Sequence, residues 1–89
     1  MLVLISRNAR KDVRRAPYFI VLKFQTWFEI VTEDGIEAVQ RVVGYRDHPL
    51  VGNRKGQRSS SLNRSWRVIY IIETDHNSVY VLEVTNHEY

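Results

Sequence analysis

The sequence predicts an α+β domain, with two to three helices packed on one face of a mostly antiparallel, four-stranded sheet. Three observations lead there. Helical periodicity is confined to the first half of the chain, where Val21, Phe24, Phe28 and Val31 recur at i, i+3 and i+4 spacing. The second half carries β-rich runs, Trp66–Thr74 and Val79–Thr85, divided by the turn-forming stretch Asp75–Ser78. A short apolar run, Leu2–Ile5, precedes the helices and reads as a further strand.

Each element has a local cause. Ser6 can cap a helix over Arg7–Arg15, in which Ala9, Val13 and Ala16 form one narrow apolar stripe beneath a basic surface. Pro17 ends that helix or opens the next, because proline suits a first turn and not a helix interior. Tyr18–Asp34 is the strongest helix, its stripe widened by Ile20, Trp27 and Ile30 and closed by Gly35. Phe24, Trp27 and Phe28 belong to the core. Ile36–Val43 is a short third helix closed by Gly44, and Tyr45–Gly56 is a loop holding Pro49, Gly52 and Gly56. Gln57–Leu62 is a polar strand. In the loop, Asp47 and His48 are expected to act as local hydrogen-bonding residues.

The chain of 89 residues is sized for a single domain, 1–89, with one modest core. It has no cysteine, so neither a disulfide nor a thiolate metal site can staple it. No secretory signal and no bilayer-length apolar run is visible, which predicts a cytoplasmic protein without membrane contact. The net charge of +3 is unevenly spread. Residues 44–67 hold six cations and one acid, residues 1–15 five cations and one acid, and residues 68–89 four acids and no cation. Two basic blocks beside an acidic strand imply one positive face, with nucleic acid as the leading partner class and an acidic protein surface as the second.

Strand alternation locates that face. In the last strand Tyr80, Leu82 and Val84 are assigned to the helices, and Val79, Val81, Glu83 and Thr85 to the other side. The face away from the helices would then gather Ser59, Ser61, Arg67, Glu83, His87 and Tyr89, rimmed by cations of the basic stretch Gly52–Arg67. Arg67, His87 and Tyr89 together suit attack on a phosphodiester. Arginine stabilises the extra negative charge of a phosphorane, histidine moves a proton near neutral pH, and tyrosine stacks on a base. RNA supplies its own nucleophile, the 2′-OH, so no metal or other cofactor is expected. Other chemistries lack their residues. Gly52–Gln57 has neither the spacing nor the Lys-Ser/Thr pair of a Walker loop, His48, His76 and His87 have no zinc spacing, and Ser59–Ser61 lacks a glycine elbow.

These residues carry a resemblance. The chain resembles the RelE/HigB family of bacterial type II toxins over nearly its whole length. The likeness rests on the N-terminal strand and basic helix, on the Pro49–Ser59 stretch PLVGNRKGQRS, on Leu62–Tyr70, LNRSWRVIY, and on the ending Glu83–Tyr89, EVTNHEY. The resemblance implies a RelE-like fold of microbial RNase type, ribosome-dependent cleavage of mRNA, and inhibition by a cognate antitoxin, itself a DNA-binding helix-turn-helix or ribbon-helix-helix protein. It implies that Arg67 contacts the scissile phosphate, that Tyr89 stacks near the cleaved nucleotide and that His87 is the C-terminal histidine of the family's YoeB-type branch. Lys55 and Arg58 match commonly basic positions, and with Arg54, Arg64, Arg10 and Arg14 they are the expected contacts to mRNA and ribosomal RNA. Two departures stand out. Glu88 separates His87 from the final tyrosine, and Ser59-Ser60-Ser61 occupies a strand that carries bulky or basic side chains in relatives. The alternative on the same scaffold is a non-enzymatic, ParE-like gyrase inhibitor or a protein that only binds its antitoxin.

Overall fold

A computed structural model describes residues 1–86; the roles expected of His87 and Tyr89 lie outside the described residues. The chain opens with β1 (Leu2–Ile5), followed by α1 (Arg7–Arg15), α2 (Tyr18–Asp34) and α3 (Ile36–Arg41). A 3-10 turn at Val43–Tyr45 leads to β2 (His48–Pro49), then β3 (Arg58–Ser61), β4 (Arg67–Glu73) and β5 (Ser78–Thr85). The sheet has five strands in the order β1-β5-β4-β3-β2, with β1 parallel to β5 and every other pair antiparallel. Among the described residues, no helix is long and apolar enough to cross a membrane.

The helix boundaries follow from their caps. Ser6 Oγ accepts the Ala9 N–H at 3.0 Å, as the N-cap role requires. Gly35, at φ +87°, separates α2 from α3 in a conformation that a side chain would strain. The third helix is shorter than the expected 36–43. It stops at Arg41, and after Val42 the chain tightens into the 3-10 turn Val43–Tyr45. The core lies between α2 and the sheet. Trp27 is fully buried, stacked on Phe24 at 5.9 Å and tilted against Tyr70 at 5.5 Å between ring centroids. Phe28 and Ile30 flank this core and are only partly buried.

Two features of the sheet correct the expectation. The loop predicted over 45–56 contains β2, whose Pro49 pairs with Arg58 at the sheet edge, where a missing N–H is tolerated. The alternation along β5 is also broken. Ile69 pairs with Glu83 but Tyr70 pairs with Val81, leaving Leu82 as the extra residue of a bulge. Val79 and Val81 therefore join the helix-facing core together with Val84, while Tyr80 turns to the other face. Beyond Ile5, α1 takes over the role of β1 along the edge of β5. Ser6 Oγ donates to the Leu82 carbonyl at 2.9 Å, and Asp12 Oδ2 accepts the Val84 N–H at 3.0 Å. This satisfies backbone groups that the bulge and the end of β1 would otherwise leave bare.

Candidate active site

The sheet face away from the helices is built in rows by the strand register. Ser61, Arg67 and Thr85 form one row. His48, Ser59, Ile69 and Glu83 form the next. Ser59, Ser61, Arg67 and Glu83 thus share the face that alternation predicts. Arg46, His48, Ser61, Asn63, Arg64 and Arg67 enclose a cavity of about 380 Å³ at its lower end. Among the described residues its lining has three guanidinium groups and an imidazole, and no carboxylate. The Nε of Arg67 is buried and has no hydrogen-bond partner among the described residues, as does the hydroxyl of fully buried Ser59. A buried cationic donor of this kind calls for an acceptor, and an anion supplies one.

Local geometry aims these groups. Asn63 Oδ1 accepts the N–H groups of Ser65 and Trp66 at 2.9 and 2.7 Å, which forms the tight turn that presents Arg64 just before β4. Arg46 sits in a left-handed conformation at φ 47°. The Nδ1 of His48 lies 2.8 Å from the Arg46 carbonyl. A carbonyl can only accept, so in this contact Nδ1 carries the proton and Nε2 is the atom left for chemistry.

The opposite face of this edge holds a buried anchor. The Asp47 carboxylate, with no exposed side-chain surface, accepts from Arg58 Nε at 2.8 Å, from the Ser60 hydroxyl at 2.5 Å and from the Tyr70 hydroxyl at 2.5 Å. The two short contacts are of the charge-assisted O–H···O⁻ kind. Burial first, and then the Asp47 carboxylate, push the Tyr70 phenol well above its ordinary range. For Arg58 burial pulls downward, but Asp47 and Tyr70 outweigh it and the net direction is up. Asp47 is the hydrogen-bonding residue that the sequence suggests, and it binds side chains of two strands, β3 and β4, instead of serving its own loop.

The expected site residues therefore divide. Arg64 and Arg67 meet in the cationic cavity. Arg54 lies over the same face and is ion-paired with Glu83. Its loop is closed by the Leu50 N–H donating to the Gln57 carbonyl at 2.8 Å and turned by Gly52 and Gly56, both at positive φ. Ile69 faces away from the helices yet is fully buried, and Arg54 of this loop reaches its row to pair with Glu83. Lys55 is exposed on the loop. Arg58 points to the helix side and is committed to Asp47, so the structure does not bring it to the cavity. Arg10 and Arg14 stand exposed on α1, with Arg10 Nε 3.5 Å from the Ile5 carbonyl. Sequence reasoning missed Arg46 and His48. The signal available for them was alternation through 46–49, with Arg46 and His48 on one side and Asp47 and Pro49 on the other, but proline hid the strand.

No family model matches the chain, and no curated protein matches it either. Solved structures do. The YoeB/ParE toxin from Agrobacterium tumefaciens superposes with a TM-score of 0.77 at 15% identity, covering 99% of this chain and 100% of that one. YafQ from E. coli strain BL21(DE3) gives 0.79 at 20% identity, with 96% and 91% covered. The YoeB–YefM complex from Staphylococcus aureus gives 0.73 at 18% identity, with 99% of both chains covered. The chain thus shares the α+β fold of these proteins over nearly its whole length.

Proposed function

We propose that this chain is the toxin of a type II toxin–antitoxin pair and that it cleaves mRNA on the ribosome as an endoribonuclease. The observation that carries this reading is the cationic cavity on the open sheet face, where Arg46, Arg64 and Arg67 converge beside His48 with no carboxylate in the lining among the described residues. A phosphodiester fits that charge, and the fold shared with the YoeB and YafQ toxins supports the toxin role. The YoeB–YefM complex supports a cognate antitoxin as the partner that silences it, of the DNA-binding helix-turn-helix or ribbon-helix-helix class.

The chemistry follows from the groups available. The 2′-OH of RNA gives its proton to an imidazole and its oxygen bonds to the adjacent phosphorus. The bond from phosphorus to the 5′ oxygen breaks, and that oxygen takes a proton from an acid. The products are a cyclic phosphate and a 5′-OH. Arg67 stabilises the charge on the phosphorane, a role its guanidinium can fill at any cellular pH. His48 and His87 share the two proton transfers, one as base and one as acid, and Tyr89 stacks on a neighbouring base. Exposed Arg10, Arg14, Lys55 and Arg64, with Arg54, contact mRNA and ribosomal RNA through their phosphates.

The test is single-turnover cleavage of mRNA on programmed ribosomes. Wild type should cleave, and Arg67→Ala should lose about 10²–10³ in rate while keeping its circular dichroism. Equal rates for the two proteins would remove Arg67 from the mechanism. Growth arrest by a wild type that cleaves no mRNA would move the assignment to a gyrase-inhibiting toxin.

A further inference from the structure

A second recess opens on the same sheet face, between the start of α1 and the basic loop. It has a volume of about 570 Å³, and its lining includes Asn8, Arg54, Gln57, Tyr80, Leu82 and Glu83. Its chemistry differs from that of the cationic cavity. The Arg54 guanidinium is ion-paired with Glu83, and the Asp12 carboxylate, whose Oδ2 accepts the Val84 N–H, leaves the lining with one acid more than it has cations. Beside them stand the Ser6 hydroxyl, two carboxamides, a half-buried aromatic ring and an aliphatic side chain. The Oε1 of Gln57 is buried and accepts no hydrogen bond among the described residues. A polar recess with two carboxylates to one cation, an aromatic wall and an unanswered acceptor suits a nucleobase that donates a hydrogen bond better than a phosphate.

The register sets its distance from the phosphate site. Glu83 pairs with Ile69, two residues along β4 from Arg67, and Tyr80 pairs with Ile71, four residues along. At a strand rise near 3.3 Å, two residues cover about 7 Å. That is the scale on which successive nucleotides of an extended single strand follow one another.

We propose that this recess reads a nucleobase carrying an exocyclic amine, one to two nucleotides from the phosphate held at Arg67. The amine answers the buried Gln57 oxygen and the ring of Tyr80 supports the base. Adenine and cytosine carry such an amine where uracil carries a carbonyl. The proposal rests on the ribonuclease reading for the phosphate position, but it can be tested without catalysis.

The experiment titrates the isotope-labelled full chain with AMP, CMP, UMP and purine riboside monophosphate, and follows amide shifts. AMP and CMP should bind about tenfold more tightly than UMP, and AMP about tenfold more tightly than purine riboside monophosphate, the scale of one hydrogen bond to a buried acceptor. Gln57→Leu should erase both preferences and leave the affinity for UMP in place. Tyr80→Ala should weaken every ligand, and Tyr80→Phe should restore them. Equal binding of AMP and UMP, no binding of any of the four, or a preference that survives Gln57→Leu overturns the pocket. Binding that depends on Arg67 yet ignores the base overturns the pocket and spares the ribonuclease reading. Base preference that persists in Arg67→Ala supports the pocket, and an affinity unchanged in that variant counts against Arg67 as the phosphate ligand.

Discussion

Asp47 and His48 are consecutive residues that face opposite sides of the sheet. His48 pairs with Ser59 on the open face, while Asp47 reaches Ser60 and Tyr70 on the helix side. Strand β2 is only two residues long, so backbone pairing alone holds it weakly. The buried Asp47 carboxylate is what fixes its position, and with it the direction of His48 and Arg46. Asp47→Ala should therefore cost about 3–5 kcal/mol, because it strips a buried pair of one partner. Urea denaturation measures the loss. A change below about 1 kcal/mol would show that the network does not hold this edge. Cleavage should fall in the same variant under conditions where it remains folded.

The two histidines should separate in a pH profile. A paired general acid and base give a bell-shaped dependence of rate on pH. His48→Gln and His87→Gln should each remove one limb of that bell, and opposite limbs. If both variants keep the wild-type profile, neither imidazole transfers a proton in the rate-limiting step.

Serine substitution should divide by burial. Ser61 is partly exposed and lines the cationic cavity, so Ser61→Lys can add a cation beside Arg67 and should raise the cleavage rate. Ser59 is fully buried next to Ile69, and Ser59→Lys must bury an ammonium or displace its neighbours. It should lower the thermal midpoint and yield no gain in rate. A stable Ser59→Lys protein would mean that the face around Ile69 opens readily.

Tyr70 gives stability a dependence on alkaline pH. Its folded pKa is raised, so the phenol stays protonated in the folded chain after it begins to ionise in the unfolded one. The stabilisation is full below the unfolded value near 10 and declines as pH rises above it. The unfolding free energy should drop between about pH 10 and 12, and Tyr70→Phe should flatten that drop while lowering stability at pH 7. Parallel curves for the two proteins would place the alkaline transition elsewhere.

Much of the architecture is written locally. Ser6, Pro17 and Gly35 mark the first two helices to the residue, because caps and φ restrictions act within a few positions of the chain. The order of periodicities gives helices first and a mostly antiparallel sheet after, and alternation in β3 and β4 puts Ser59, Ser61 and Arg67 on one face. The tertiary structure decided the rest. A bulge at Leu82 depends on how β4 pairs with β5, so no period along β5 reveals that Val79 and Val81 turn inward while Tyr80 turns out. Arg58 looks like an RNA contact in a basic run, yet the register places it opposite Tyr70, where Asp47 claims it. Arg46 and His48 look like loop residues, yet a carboxylate between them, buried among three partners from distant strands, turns both toward Arg67. Charge along a sequence names the cations; only the pairing of strands decides which of them share a face.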